Sequence, residues 1–367
     1  MHIPNANLMT TKHGASHLNA HRRLLSVALI FGIVISTFYV LSIGEHFFVP
    51  LVMAVLAVYL VDIVSRLIRK IRIADHPVPA VLSVILAFGI IFGLGFTLIE
   101  IVAQNALHVA AAAPKYQARL QQLQGEIFAR VGIEEPPEIR ELLKAVDLRS
   151  VFTAVAKEVA GVLEDVTLVV IYGLFIMLER RFFPIKIEAL FPNPERRKNA
   201  IRIMRRIDRD IHTYLGVKTA VSFTSALLAY ILMRIVGLDF AEFWALLIFI
   251  LHFIPTIGVI VATILPTLLA AVQFDNLAQF LIIGIGITAI AQLMGNVVEP
   301  NVMGESLNLS PLTVIIALII WGSLWGIVGA FLCVPLTVIL VIVLSNFHST
   351  RWVSILLSKT GEIRSPE

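Results

Sequence analysis

The sequence has few charged residues and almost no cysteine. Asp, Glu, Lys and Arg make up only 15% of its 367 residues, whereas 58% are hydrophobic and the mean hydropathy is +0.89. Soluble domains carry about 25% charged residues. A chain of this composition cannot cover its apolar side chains inside one water-soluble globule. The shortage of charge therefore excludes an ordinary soluble protein and indicates a protein embedded in a lipid bilayer.

Missing residues and motifs exclude several kinds of chemistry. The single cysteine, Cys333, excludes an intrachain disulfide framework and a metal site built from several thiolates. The sequence also has no Walker A, HExxH, CxxC or GxSxG motif and no glycine-rich dinucleotide fingerprint. These absences predict a protein that is not an enzyme and has no catalytic residues, cofactor or metal site.

Stretches without charge give the candidate membrane spans. A helix needs about 20 mostly apolar residues to cross the hydrocarbon core. One candidate contains Lys218 and Arg234 near its two ends, where long cationic side chains are expected to reach toward the interface. The pattern predicts an all-α, polytopic integral membrane protein with about eight transmembrane helices. The eight candidate segments are Leu24–Gly44, His46–Val61, Pro77–Ile99, Val166–Leu178, Tyr214–Gly237, Phe243–Phe274, Asn276–Val298 and Ser306–Thr350.

Two of these segments are too long for one straight crossing. Ser306–Thr350 has 45 residues, which would form a helix of about 68 Å against a core of about 30 Å. The glycines between Trp321 and Gly326 are its natural break, and Pro255, Gly258 and Pro266 interrupt the other segment. We expect broken or re-entrant segments. Whether each long segment crosses once or folds as a hairpin stays open, and with it the side on which Glu299 lies.

Loop charges predict the orientation of the chain. Residues 62–76 carry four basic and two acidic residues, and residues 179–212 carry ten and five, whereas residues 103–165 carry seven and nine. Positive loops remain in the cytoplasm. The protein is therefore predicted to be a multi-pass membrane protein with cytoplasmic N- and C-termini and with residues 103–165 outside.

The chain divides into four predicted regions. Residues 1–102 form a cytoplasmic tail and the first three spans, and residues 103–158 form an extracytoplasmic amphipathic helical region. Residues 159–350 form the C-terminal transmembrane transport region, and residues 351–367 form a cytoplasmic tail. The mixed charges of residues 103–158 favour packing on the outer face or against a neighbouring subunit over lying on lipid.

Residues 194–213 form a predicted basic amphipathic helix. Ile203, Ile207 and Ile211 share one face of this helix. Such a helix at the cytoplasmic surface would bind anionic headgroups, and simple positive-inside anchoring is the alternative. Nucleic-acid binding is not expected, because the region lacks interleaved aromatic residues and lies between two spans. The basic residues are Arg196, Arg197, Lys198, Arg202, Arg205, Arg206 and Arg209.

A polar run follows the seventh hydrophobic segment. Gln292, Asn296 and Glu299 lie at i, i+4 and i+7, which is one face of a helix. Polar groups on one side of a span normally face the protein interior or an aqueous path, whereas a helix cap at the interface is the plainer interpretation. The candidate residues of a substrate path are Pro255, Gly258, Gln292, Asn296, Glu299, Pro300, Gly304 and Pro311.

Several short motifs of the second half occur in an informative order. Together they resemble the autoinducer-2 exporter family, a bacterial group of predicted permeases. Thr256 departs from the family pattern, which usually has an aromatic residue there. The resemblance covers about Val166–Leu344 and rests on Phe253–Gly258, Asn296–Pro300 with Met303–Gly304, Leu309–Pro311, Trp325–Gly329 and Val334–Thr337.

The resemblance implies a homo-oligomeric protein of the bacterial inner membrane that transports small polar solutes. In the naming member the solute is the quorum-sensing signal autoinducer-2, and other members exchange sodium or lithium ions for protons. The substrate does not follow from the fold.

Three functions remain open at this stage. The leading hypothesis is an exporter or permease of small hydrophilic molecules, with Ser222, Thr224, Ser225 and Thr288 as further hydrogen-bonding groups. The alternative is a Na⁺(Li⁺)/H⁺ antiporter, which needs an intramembrane carboxylate that loses and regains a proton. The second alternative is a non-transport membrane interaction protein. The expected partners are membrane lipids, a small polar solute or cation, and further copies of the chain.

Overall fold

The structure, a computed structural model, describes residues 28–29, 31–73, 76–98, 100–101, 104–105, 111, 122, 166–304 and 308–361. The predicted N-terminal tail, the last six residues of the predicted C-terminal tail and nearly all of the predicted region 103–158 lie outside these residues. The chain separates into two units, Met1–Phe48 and Val49–Glu367. In the first unit, α1 (Phe31–Ile43) is a short apolar helix, and α2 (Glu45–Ile68) begins there.

In the residues that the structure describes, the second unit consists of helices and turns with a two-stranded ladder, in which Arg72 pairs with Pro77 and Ile73 with His76. A 3₁₀ turn (Arg180–Phe182) and a π-helical segment (Leu293–Val298) interrupt the α-helices. After α2, its elements are β1 (Arg72–Ile73), β2 (His76–Pro77), α3 (Ala80–Leu98), α4 (166–179), α5 (Phe183–Leu190), α6 (Pro194–Val236), α7 (Ala241–Leu251), α8 (Ile257–Gln273), α9 (Leu277–Gln292), α10 (Glu299–Met303), α11 (Pro311–Ser345) and α12 (Arg351–Leu357).

The apolar helices confirm the predicted fold class. Among the described residues, five helices are long and apolar enough to cross a membrane, and α1, α7 and α8 are shorter apolar helices. The protein is an all-α, multi-pass membrane protein. The five long helices are Glu45–Ile68, Ala80–Leu98, Pro194–Val236, Leu277–Met303 and Pro311–Ser345.

The longest described helix is α6, and its ends follow from local sequence. The Asn193 side chain accepts hydrogen bonds from the backbone N–H groups of Glu195 and Arg196, and Pro194 occupies the first turn. Gly237 ends the helix with a left-handed φ of 85°. The 43 residues between these signals give a helix of about 65 Å. The basic half and the apolar half of α6 therefore share one axis.

The segment containing α7 and α8 is a hairpin, named hairpin 1 (Ala241–Gln273). Gln273 closes its open end, since its side-chain nitrogen donates to the Gly237 carbonyl at 2.8 Å and its oxygen accepts from the Asp239 N–H at 2.8 Å. A straight helix would separate residues 239 and 273 by about 51 Å. The turn lies at residues 252–256, where Gly258 packs against the Leu251 carbonyl. The predicted break is therefore a reversal of the chain.

The tip of hairpin 1 contains a strained residue. Thr256 has φ 57° and ψ −65°, and the Ile257 N–H donates to the Pro255 carbonyl at 2.6 Å. This is a γ-turn with positive φ, which is rare and costly for a β-branched residue. Strain of this kind persists only where the surrounding structure holds it in place.

Replacing Thr256 by Gly is expected to stabilise the protein by about 1 kcal/mol, because glycine adopts positive φ without steric conflict. The apparent unfolding temperature in detergent should rise. Thr263→Gly in the interior of α8 is the matched control and should lower that temperature, since glycine weakens a helix by about 1 kcal/mol. Equal destabilisation by both changes would contradict a strained tip.

A second hairpin occupies the long α11, named hairpin 2 (Pro311–Ser345). Trp325 (φ −130°, ψ 24°) and Gly326 (φ 57°, ψ −138°) leave the helical conformation. The Trp321 indole donates to the Thr337 hydroxyl at 3.3 Å, although 16 residues of straight helix would separate them by about 24 Å. At the base, the Ser310 N–H and the Thr313 hydroxyl donate to the Leu357 carbonyl at 3.0 and 2.9 Å, which attaches α12.

A cluster of buried apolar side chains lies where hairpin 1 packs between α6 and α9. Phe243 and Trp244 are its largest fully buried side chains, with Met233, Ile283 and Ile287 around them. Because lipid is as apolar as these side chains, close packing rather than escape from water must hold the helices together. This packing fixes hairpin 1 beside α6, where the polar residues described below are found.

Candidate functional site

A line of buried polar residues runs along one face of α6. Asp210, Tyr214, Lys218, Ser222 and Ser225 recur every three or four residues, and each is at most 7% exposed. This spacing places them on one side of the helix. Polar residues in a membrane helix face the protein interior or an aqueous path. The face is therefore the natural place for a polar site.

Lys218 and Glu299 form a buried ion pair at the centre of this face. The Lys218 ammonium donates to both carboxylate oxygens of Glu299, at 2.7 and 2.9 Å. The two side chains are 9% and 18% exposed. The Lys218 side chain was expected to extend toward the interface; it does not extend into solvent, because a carboxylate within the protein lies within its reach. A bidentate partner makes burial of the ammonium tolerable.

The π-helical segment directs Glu299 toward α6. Each backbone hydrogen bond in this segment joins an N–H to the carbonyl five residues before it, as in the bond from the Glu299 N–H to the Met294 carbonyl. Pro300 favours this distortion, since it has no N–H for the preceding turn. Gln292 and Asn296 hydrogen-bond to each other and are exposed, whereas Glu299 is partly buried against Lys218. The π turn thus separates Glu299 from the two amides.

The two hairpins meet beside this ion pair. Phe253, at the tip of hairpin 1, stacks on Phe331 of hairpin 2 with ring centroids 4.8 Å apart. His252 is 2% exposed, and its Nδ1 lies 3.1 Å from the Ile248 carbonyl. His252 and the buried Cys333 are both within electrostatic range of Lys218. The ion pair is therefore surrounded by α6, α10 and residues of both hairpins.

Five buried polar atoms around this site have no hydrogen-bond partner among the described residues. An unsatisfied buried polar group costs about 1–3 kcal/mol, so native proteins rarely leave one without water or a ligand. Several such groups on the helix that carries Lys218 and at the neighbouring tip of hairpin 1 mark a region where a polar molecule can bind. The atoms are the Tyr214 hydroxyl oxygen, the Thr219, Ser222 and Ser225 hydroxyl oxygens, and Nε2 of His252.

The structure brings together only part of the predicted substrate path. Glu299 lies in the site, and Pro255 and Gly258 form the adjacent tip of hairpin 1. The other predicted residues lie nearer the outside of the chain: Gln292, Asn296 and Pro300 are exposed, Gly304 ends α10, and the exposed Pro311 begins hairpin 2.

Sequence reasoning missed Lys218, Tyr214 and His252 as site residues. The useful signal was the regular recurrence of polar residues along Tyr214–Gly237, which included Ser222 and Ser225. Thr224 and Thr288, also considered as hydrogen-bonding groups, are exposed and bond to carbonyls of their own helices. No group of three or more His, Cys, Asp or Glu residues able to hold a metal occurs in the described parts of the chain.

The basic half of α6 extends away from the membrane-spanning half. A core of about 30 Å holds about 20 helical residues, so counting back from Val236 the core ends near Val217. Arg209 then lies about 12 Å beyond the core and Arg196 about 31 Å beyond it. Arg205, Arg206 and Arg209 lie nearest the core, and Arg196, Arg197, Lys198 and Arg202 lie farther from it. Contact of these basic residues with lipid headgroups stays a prediction.

Several of these basic side chains have protein partners. Arg197 pairs with Glu188 at 2.7 Å, Arg209 with Asp210 at 3.4 Å, and Arg206 with Asp210 at 3.7 Å. Arg202 donates to the Asn199 side chain at 3.1 Å. Part of the positive charge in this half is thus balanced within the protein, at the end of the polar face that leads to Lys218.

Comparison with known proteins identifies the family. The family model described as AI-2E family transporter matches residues 26–349. The AI-2 transport protein TqsA of Escherichia coli (strain K12) is 29% identical over 91% of this chain and 96% of its own length. A putative transport protein of Haemophilus influenzae is 27% identical over 95% and 99%, and one of Borreliella burgdorferi is 28% identical over 86% of each chain. The chain belongs to the AI-2E transporter family.

Proposed function

We propose that this membrane transporter is an exporter or permease of small hydrophilic molecules, whose path passes the Lys218–Glu299 pair between the tips of the two hairpins. The observation that carries the proposal is the set of buried, unpartnered polar groups around this pair. Broken membrane helices that meet at a polar centre are typical of transporters, because the ends of half-helices and free backbone groups can bind a polar solute there.

The proposed orientation has hairpins that enter from opposite sides. With the basic loops in the cytoplasm, α6 runs outward, hairpin 1 enters and leaves on the outer side, and the helix from Leu277 to Met303 returns inward. Glu299 is then nearer the cytoplasmic side, hairpin 2 enters from that side, and both termini are cytoplasmic. In a bacterium this membrane would be the inner membrane. Displacing one hairpin at a time would expose the site to alternate sides.

The proposed substrate class includes the quorum-sensing signal autoinducer-2. The name of the Escherichia coli relative assigns AI-2 transport to that protein. The hydroxyl groups of Tyr214, Ser222 and Ser225 are suited to a small molecule rich in hydroxyl groups, since each can both donate and accept a hydrogen bond.

The chain is also proposed to form a homo-oligomer. Thr288, Gln292 and Asn296 are exposed on a helix that is long and apolar enough to cross the membrane. Facing lipid, amide side chains would be costly. A neighbouring copy of the chain would cover them. The mass of the complex in native nanodiscs gives the number of chains, and we expect more than one. Anionic lipids are proposed as partners of Arg205, Arg206 and Arg209.

A second candidate function is Na⁺(Li⁺)/H⁺ antiport. The observation in its favour is Glu299, a partly buried carboxylate that Lys218 already neutralises. A cation could replace the ammonium group at this carboxylate and release it. Antiport would then require Lys218 or Glu299 to exchange a proton during each cycle.

The function is tested by flux in vesicles that contain purified protein. We expect autoinducer-2 to leave loaded vesicles faster than it leaves protein-free vesicles, and Glu299→Gln to slow this efflux, because the unpaired Lys218 ammonium disfavours an uncharged solute. Glu242→Gln is the matched control, because Glu242 is an exposed carboxylate at the other end of α6. Sodium-dependent proton flux without autoinducer-2 flux would favour the antiporter. Flux of neither, with folded protein, would contradict transport and favour an interaction protein.

A further inference from the structure

We infer that Lys218 and Glu299 act together as the charge-selectivity element of the transport path, so that the native site admits uncharged hydroxylated solutes and rejects single cations and anions. The inference deepens the proposed function and rests on it. Lys218 and Glu299 both determine specificity, and the loss of either one has the opposite effect on the charge of the preferred solute. Two observations support the inference: the Lys218–Glu299 pair has no net charge, and the buried groups near it that lack hydrogen-bond partners among the described residues are hydroxyls and an imidazole nitrogen.

The first step is the charge balance. Lys218 binds Glu299 through both carboxylate oxygens, so the pair carries no net charge. Asp210, two turns away on the same face of α6, is paired with Arg206 and Arg209. The other titratable groups around the pair are Tyr214, His252 and Cys333. The Lys218–Glu299 pair itself thus has no net charge to attract an ionic solute. Asp210 and its two arginines carry one positive charge in excess, which belongs to Arg209, whose side chain is 71% exposed.

The second step is the penalty for a charged solute. A cation can bind Glu299 only by displacing the Lys218 ammonium, and an anion can bind Lys218 only by displacing the carboxylate. Either displacement leaves one charge buried without a partner, and such a charge is strongly destabilising in a protein interior. An uncharged solute avoids this penalty, because the ion pair can stay closed while the solute binds beside it.

The third step is the set of groups that an uncharged solute would meet. The Tyr214, Ser222 and Ser225 hydroxyls and Nε2 of His252 are buried and lack hydrogen-bond partners among the described residues. All of them can form neutral hydrogen bonds with a hydroxyl group. A solute with several hydroxyls would satisfy them together, and a site with buried polar groups discriminates strongly against molecules that leave those groups unpaired.

Charge-altering variants should change the selectivity in opposite directions. Lys218→Gln leaves the carboxylate unpaired and should favour a cation, whereas Glu299→Gln leaves the ammonium unpaired and should favour an anion. The exchanged pair, Lys218→Glu with Glu299→Lys, restores neutrality and should return the native preference. Lys218→Arg keeps the charge and should continue to exclude cations.

The test measures uptake of three hydroxylated probes of similar size into vesicles that contain the purified, full-length protein. Erythritol is uncharged, choline is a permanent cation and isethionate is a permanent anion. The membrane potential is held at zero with potassium and valinomycin, so that charge movement does not limit uptake. We expect wild-type protein to carry erythritol at least tenfold faster than either ion. Lys218→Gln should raise the choline-to-erythritol ratio at least tenfold, and Glu299→Gln should do the same for isethionate.

The outcomes distinguish the two proposals. Erythritol uptake by wild-type protein with ratios that do not change in the variants would overturn the charge-selectivity inference and leave transport standing. Wild-type uptake of choline or isethionate as fast as erythritol would also overturn it. Absence of uptake of all three probes would contradict the proposed path together with the inference. If a single variant fails to fold, uptake of the three probes by wild-type protein and by the exchanged pair still tests the inference.

Discussion

Glu299→Gln is expected to destabilise the protein by about 3 kcal/mol or more, because it removes one partner of a buried ion pair. The ammonium group of Lys218 would keep its place at 9% exposure, without the carboxylate that accepts both of its hydrogen bonds. We expect a clear fall of the apparent unfolding temperature in detergent, followed through the intrinsic tryptophan fluorescence.

Glu242→Gln is the matched control for this change. Glu242 faces Arg234 at 3.6 Å, and the two side chains are 54% and 62% exposed. Exposed ion pairs contribute about 0–1 kcal/mol, so the unfolding temperature should hardly move. Similar effects of both changes would contradict a buried pair at Lys218.

The same pair offers a way to separate stability from function. The double variant Lys218→Met with Glu299→Met should recover most of the lost stability, because replacing both members of a buried pair by apolar residues is often neutral or stabilising. Transport should nevertheless be lost, since a dry, apolar path no longer accommodates a polar solute. Recovery of stability together with full transport would show that the pair is only structural.

Gly329→Ala is the second change with a large expected effect. A Cβ atom at position 329 would overlap the backbone carbonyl of Trp321 and would contact the Trp325 side chain. Because a backbone carbonyl cannot move aside as a flexible side chain can, the two limbs of hairpin 2 would have to separate. We expect a loss of about 3 kcal/mol or more, with little folded protein recovered and no transport by the remainder.

Gly89→Ala in α3 is the control for the glycine change. No atom lies within 4 Å of a Cβ built at Gly89, so the methyl group has room. Alanine also favours a helix over glycine by about 1 kcal/mol, and the unfolding temperature should stay or rise. If Gly329→Ala were tolerated as well as Gly89→Ala, the close fold-back of hairpin 2 would be contradicted.

In both hairpins a glycine packs against a backbone carbonyl of the opposite limb near the tip. At the tip of hairpin 1, Gly258 lies against the Leu251 carbonyl, as Gly329 lies against the Trp321 carbonyl in hairpin 2. Each glycine follows the bend by a few residues and allows the returning limb to begin within contact of the first. Proline and glycine in the sequence predict both breaks, since those residues act locally on the backbone. They do not determine whether the chain then continues or reverses.

The reversal itself depends on contacts between residues that are distant in sequence. Gln273 joins the open end of hairpin 1 to Gly237 and Asp239, and the Leu357 carbonyl joins the base of hairpin 2 to Ser310. The sequence around a glutamine or a main-chain carbonyl does not predict which distant residues it will bind. These hydrogen bonds show that the two long apolar segments fold back as hairpins. Each limb of a hairpin is short enough to fit within the thickness of a membrane.

The sequence by itself determined the membrane as the surroundings of this protein, its helical segments, the places where they break and its family. All of these follow from local properties, such as apolar runs, helix-ending residues and short motifs. The tertiary structure alone decided that Lys218 and Glu299, 81 residues apart, neutralise each other. Pairing of this kind depends on how helices pack and on the extra residue in the π turn before Glu299. A charge in the sequence shows what a side chain can bind, and only the fold shows what lies within its reach.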